Sequence, residues 1–119
     1  MKSLWAQYHK ETEDHEVIEG KCGFIRYSFS GKLCLIHDLF VAKEFRRDRI
    51  AWDLADTVTH LAINRGCTHL WSRVGVATGG ANEALLANLA YGFKVQAAEG
   101  GFIIMLKDIS EAMWVKKAE

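Results

Sequence analysis

The residues with the clearest chemical spacing lie in Leu39 to Leu54, LFVAKEFRRDRIAWDL. An apolar run ends at Val41, a basic loop follows, and a helical pattern starts near Asp48. The first N–H groups of a helix precede its hydrogen-bond ladder, and its dipole is positive at that end. A loop entering such a helix is an anion site, most often for phosphate. Arg46, Arg47 and Arg49 add guanidinium forks suited to phosphate oxygens, against the single carboxylate of Asp48. The same segment also reads as a solvated basic turn beside an amphipathic helix. His37 lies four residues before Val41 and Asp38 three before it. A histidine titrates near neutrality and can act as a base. Consecutive strand residues point to opposite faces, so at most one of the two is expected to face a cleft.

The elements that must position these residues follow from patterning. Residues 1–14 carry Leu4, Trp5 and Tyr8 on one helical side, and predict a short helix. A short strand is expected near Glu16–Glu19. Cys22 to Phe29 and Leu33 to Val41 are apolar runs across Ser30-Gly31-Lys32, which predicts a β-hairpin. Ile50, Ala51, Leu54, Ala55, Val58, Leu61 and Ala62 recur at helical spacing over 48–65. Asp48 is the expected N-cap, and Gly66 the left-handed residue past the end. Thr68 to Val76 predicts a strand, and Asn82 to Ala90 a helix ended by Tyr91-Gly92-Phe93. Phe93–Ala97 and Gly101–Lys107 predict a last strand pair. Residues 108–119 predict a terminal helix or tail, with Ile109, Ala112 and Met113 on one side. The order gives an α/β fold in one domain, 1–119, whose sheet starts antiparallel and contains one strand-helix-strand crossover.

Composition narrows the function classes. The chain has 119 residues, 15 Lys+Arg against 15 Asp+Glu, and is 50% hydrophobic. Zero net charge disfavours bulk electrostatic binding of nucleic acid. Cys22, Cys34 and Cys67 are odd in number and form no CxxC pair, which points to buried reduced thiols and a cytoplasmic chain. His60 and His69 have no partner at metal-ligand spacing, and no metal is expected. No apolar run reaches the roughly 18–20 residues of a membrane helix.

The loop segment resembles the acyl-coenzyme-A motif of the GNAT superfamily of N-acetyltransferases. That family has Val-x-Pro-Glu-Phe/Tyr, then Arg/Gln-x-x-Gly-x-Gly/Ala, then a helical Leu. This chain has Val41-Ala42-Lys43-Glu44-Phe45, then Arg46-Arg47-Asp48-Arg49-Ile50-Ala51, then Leu54. The family's later aliphatic-x-x-Gly-Phe signature is matched by Leu89-Ala90-Tyr91-Gly92-Phe93, and Ala62 to Leu70 resembles its helix-Gly-strand passage. The resemblance spans about residues 22–107. More loosely, the chain resembles small acetyltransferase-like proteins encoded by bacteriophages, which implies a bacterial or infected-host cytoplasm.

The resemblance implies a mixed, mostly antiparallel sheet with helices on both faces. Its fourth and fifth strands splay apart to admit acetyl-CoA as cosubstrate. The pantetheine arm pairs with Leu39, Phe40 and Val41, and the pyrophosphate sits on Arg46, Arg47, Asp48, Arg49, Ile50 and Ala51. Asp38 matches a frequent family carboxylate; Asp38 and His37 are candidate bases, and Tyr91 a candidate acid. Arg49 stands at the family's Gly and Asn88 at its usual Tyr. The reaction implied is acetyl transfer to a primary amine by direct attack in a ternary complex. The acceptor is a small amine, a peptide or a protein lysine. The rival reading is a non-catalytic binding or inhibitor protein that keeps the fold. Met113 and Trp114 offer either a homodimer contact or packing on the chain's own sheet.

Overall fold

The computed structural model describes residues 2–46, 48–77 and 79–110. The elements are α1 (Leu4–Glu13), β1 (Glu16–Glu19), β2 (Gly23–Ser30), β3 (Leu33–Val41), a 3-10 turn (Lys43–Phe45), α2 (Ile50–Asn64), β4 (His69–Gly75), α3 (Ala81–Tyr91), β5 (Lys94–Glu99) and β6 (Phe102–Asp108). The six strands form one sheet in the order β1-β2-β3-β4-β6-β5. All neighbours are antiparallel except β3 and β4.

Each helix end has a local cause. The Ser3 side chain accepts from the Ala6 N–H and starts α1, and Asp14, at φ 56°, ends it. Leu4 and Tyr8, expected on the apolar side of α1, are 82% and 59% exposed; Ala6 is the residue that α1 buries. Helix α2 begins two residues later than expected. Asp48 is not its N-cap: Arg49 is, at φ 62°, with no side-chain capping bond. Gly66, at φ 91°, takes the left-handed conformation expected of it. Gly80 (φ 82°) and Gly92 (φ 110°) bracket α3. The last hairpin turns at Gly100-Gly101, both at positive φ, so β5 runs two residues further than the sequence pattern suggests.

The two faces of the sheet carry different loads. Ile25, Tyr27, Cys34, Ile36, Leu70, Val74 and Met105 pack with Val58 and Ala62 of α2 to make the core. Ile109 joins this core just past β6. On the opposite face Trp5 of α1 meets Phe24 edge-on at 4.6 Å, and His9 meets Arg26. Helices therefore cover both faces. Cys34 and Cys67 are buried free thiols, and burial pushes Cys34 up to about 12. Cys22 is only half-buried, because it sits in the β1–β2 turn rather than inside β2. No helix among the described residues is long and apolar enough to cross a membrane. The terminal helix expected from Ala112, Met113 and Trp114 lies outside the described residues.

Candidate cofactor and active site

The sheet opens where β3 and β4 part. Their ladder holds three pairs, Leu33↔His69, Cys34↔Leu70 and Leu35↔Trp71. Beyond it β3 continues to Val41 and β4 to Gly75 with no further pairing between them. The free length of β3, Ile36 to Val41, spans about 17 Å at the ~3.4 Å rise of a strand. The splayed strands are thus the third and fourth of this chain, not the fourth and fifth. Leu39 and Phe40 are exposed and Val41 is buried at the wide end of the gap.

The basic loop leaves β3 at that wide end. The Arg46 Nε donates to the Val41 carbonyl at 3.0 Å, and its guanidinium lies 5.8 Å from the Phe40 ring centre. The Asp48 N–H donates to the Phe45 carbonyl at 3.2 Å. The Asp53 N–H donates to the Arg49 carbonyl at 3.0 Å, so Ile50 and Ala51 occupy the first turn of α2, where backbone N–H groups face outward along the axis. The Arg49 guanidinium sits 5.3 Å from the Trp52 ring centre. A non-glycine residue in the left-handed region costs about 1–2 kcal/mol, and the family's Gly position meets that demand without strain. Arg47 lies outside the described residues.

His37 and Asp38 do not alternate. In β2–β3 the register runs Tyr27↔Ile36 and then Arg26↔Asp38, so His37 is an extra residue, a β-bulge. The His37 Nε2 lies 2.7 Å from the Ser28 Oγ, and the Asp38 carboxylate accepts from the Arg26 Nη2 at 2.6 Å. Arg26 and Ser28 share one face of β2, so both partners lie on the α1 face. The expectation that only one of the pair could do so fails because a bulge breaks the period of two. The His15 ring stacks on His37, centroids 3.9 Å apart and planes 10° apart. Burial first, then the neighbouring His15 and Arg26, lower His37 to about 4, so it is neutral at pH 7.

Tyr91 is on the other face. Its hydroxyl donates to Asp56 Oδ1 at 2.6 Å and lies 3.2 Å from the Thr59 Oγ1, both on α2. Burial and the Asp56 contact raise its pKa. The Lys107 ammonium rests 3.9 Å from its ring centre, and Trp52 meets it edge-on at 5.1 Å. The structure brings His37 and Asp38 together and leaves Tyr91 apart from them. Tyr91→Phe is expected to lower stability by about 1 kcal/mol, the loss of the hydroxyl's exposed bond to Asp56 and part-buried contact with Thr59, read as a lower denaturation midpoint at unchanged slope. Asn88 accepts from the buried Ser72 Oγ at 2.8 Å and donates to the Ala84 carbonyl, fixing α3 to β4.

Sequence reasoning missed Arg26, Ser28 and His15 around His37. A uniform hairpin register counted from Ser30↔Leu33 would have put Arg26 opposite His37, and so near this pair. Beside the end of β3 an open cleft of about 430 Å³ is lined by Phe24, Phe40, Cys22 and Ala42, with Glu19 and Lys21 at its charged parts.

A family model described as "Acetyltransferase (GNAT) family" matches residues 4–91. This chain belongs to the GNAT acetyltransferase family. Among solved structures it is similar to the PaiA N-acetyltransferase of Thermoplasma acidophilum in complex with coenzyme A, at 17% identity and TM-score 0.67, over 88% of this chain and 68% of that one. It is similar to Ard1 of Thermoplasma volcanium, at 22% identity and TM-score 0.68, over 88% and 77% of the two chains. A GNAT acetyltransferase of Elizabethkingia anophelis with acetyl-CoA bound gives 18% identity and TM-score 0.65, over 88% and 86%. At these identities the likeness is one of fold. A comparison with curated protein sequences finds no significant match. The GNAT fold accounts for the mixed, mostly antiparallel six-stranded sheet.

Proposed function

We propose that this chain is a single-domain, acetyl-CoA-dependent N-acetyltransferase that acts on a primary amine by direct attack in a ternary complex. The observation that carries the reading is the gap between β3 and β4. It is closed at Leu35–Trp71 and open beyond, and from the wide end of β3 the chain runs through the basic loop into the first turn of α2. An extended arm laid along Ile36–Val41 would add to the β3 edge as a strand does. The diphosphate of the cosubstrate would meet the Arg46 guanidinium and the backbone N–H groups of Arg49, Ile50 and Ala51. Its thioester would then lie toward the closed end, near the His37 bulge.

The chemistry requires a neutral amine. Its nitrogen attacks the thioester carbonyl, the C–S bond breaks, and coenzyme A leaves as a thiolate that takes a proton from water. Asp38, half exposed and held by Arg26, and the neutral His37 are the groups that receive the amine's proton in this reading. What supports the pair is the bulge that sets both on one face. Cytoplasmic residence fits the free thiols. A second reading, a fold-retaining binding protein without turnover, draws on the loop: Arg46 and Arg49 both lie over aromatic rings of their own chain.

The test is a melting-temperature titration with acetyl-CoA, with coenzyme A and AMP as controls, followed by thiol release with amine acceptors. At one hundred times its dissociation constant the ligand should stabilise the fold by about 2.7 kcal/mol. No shift at millimolar ligand would sink the acetyltransferase reading; binding without thiol release across acceptors would favour the second. In the same assay Arg49→Gly is expected to raise stability by up to about 1 kcal/mol, because the left-handed cost disappears, and to tighten acetyl-CoA binding. Unchanged or weaker binding would show that Arg49 does not hinder the loop.

A further inference from the structure

Two buried side-chain atoms among the described residues lack a hydrogen-bond partner, His15 Nδ1 and Arg26 Nε. Both belong to one cluster at the end of α1. His9 Nδ1 lies 2.7 Å from Glu13 Oε1 and 2.9 Å from Arg26 Nη1. His15 Nδ1 lies 3.6 Å from Glu13 Oε2, and Arg26 Nη1 3.6 Å from Glu13 Oε1. The arrangement is at odds with itself. A ring nitrogen carries either one hydrogen or one lone pair. If His9 Nδ1 accepts from the guanidinium, it turns a lone pair on the carboxylate; if it donates to the carboxylate, it turns a hydrogen on the guanidinium.

A cation among the three ligand atoms removes each difficulty. We propose that His9, Glu13 and His15 form a binding site for a divalent transition metal of the zinc class. Their ligand atoms all lie within 4.8 Å of one another. Zinc bonds of about 2.0–2.2 Å to nitrogen and oxygen in a tetrahedron hold neighbouring donors about 3.3–3.5 Å apart, inside the range these atoms already span. Two imidazoles and one carboxylate select zinc, nickel or copper over magnesium or calcium. The ion takes the lone pair of His9 Nδ1 and gives His15 Nδ1 its missing partner. Arg26 must then leave His9. Asp38, 48% exposed and already bonded to Nη2, accepts Nε as well by turning its carboxylate into a two-pronged pair, which satisfies the second orphan. Three protein ligands leave a fourth position for water or an outside donor.

The placement explains why the sequence hid the site. His9 and Glu13 are one helical turn apart, but His15 follows the left-handed Asp14 that ends α1. Only the reversal at Asp14 brings the third ligand back to the other two. The bound ion would pin that reversal, and through the His15–His37 stack it would bear on the bulge of β3.

The test uses the full chain without a histidine tag, treated with chelator and then titrated with Zn(II) by calorimetry and with Co(II) by visible absorption. One ion per chain, a rise in melting temperature, and a tetrahedral Co(II) spectrum are expected. Glu13→Gln and His15→Ala should each weaken binding by at least the roughly 10–100-fold that outer-shell partners cost. Glu13 is 41% exposed, so Glu13→Gln should keep the metal-free melting temperature; should His15→Ala fail to fold, Glu13→Gln decides alone. Only millimolar binding, or equal affinity in Glu13→Gln and the parent chain, would overturn the site. The readouts need no acetyl-CoA, so failure of the acetyltransferase reading leaves them intact.

Discussion

Gly23→Ala is expected to destabilise the fold by about 3 kcal/mol or more. A Cβ on Gly23 would overlap the Phe40 carbonyl oxygen and lie 3.0 Å from the Val41 Cα. Both are backbone atoms of the neighbouring strand, so no side-chain rotation relieves the overlap. Overpacking a core with one methylene typically costs about 1–3 kcal/mol; here strands must separate, at the top of that range or beyond. The same place carries the Gly20 N–H to Gly23 carbonyl bond at 2.8 Å and the Ala42 N–H to Cys22 carbonyl bond at 2.7 Å. The variant therefore disturbs the end of β3 from which the basic loop departs. A drop of roughly 10 °C in melting temperature is the readout. A drop under about 2 °C would mean that the approach of β2 to β3 at Gly23 is looser than the structure has it.

Leu70→Ala is expected to cost about 3 kcal/mol, within the 2–5 kcal/mol range of buried Leu truncations. Leu70 is fully buried and stands opposite Cys34 in the middle of the three-pair contact between β3 and β4. The loss has two parts: apolar contact withdrawn and a cavity that the rigid sheet cannot fill. Denaturant unfolding with unchanged slope and a lowered midpoint would record it. Because the contact closes the gap between the strands, the variant should also weaken acetyl-CoA binding if the gap holds the ligand. A melting temperature within about 3 °C of the parent would show that α2, not this contact, closes the sheet.

Much of the fold was legible in the sequence because its elements carry strong periodicity. The apolar spacing from Ile50 to Ala62 marks α2, and the runs around Gly31 mark the β2–β3 hairpin. Gly66 and Gly92 announced helix ends, since they supply positive φ without strain. The misses share a physical cause: they depend on backbone geometry that no residue type signals. Nothing about Arg49 as a residue announces a left-handed N-cap, and Asp48 looked the better cap. No glycine marks the bulge at His37, so strand alternation wrongly divided His37 from Asp38. Tyr91 is a candidate acid from its place beside Gly-Phe, and nothing in the sequence signals that its hydroxyl donates to Asp56 of α2. His9, Glu13 and His15 meet only through the turn at Asp14, which breaks the helical spacing that would have joined them.

The short ladder between β3 and β4 gives the molecule a seam. On one side lie β1, β2 and β3, contiguous in sequence from Glu16 to Val41; on the other lie β4, β5 and β6, from His69 to Asp108. Each side is an antiparallel set, and the two meet over three residue pairs. Helix α2 is the strap between them, running from the end of β3 to the start of β4. The sheet thus behaves as two leaves on one spine, and whatever lies between the leaves is gripped by both. Their mutual tilt, rather than any single side chain, then sets the width of what can enter.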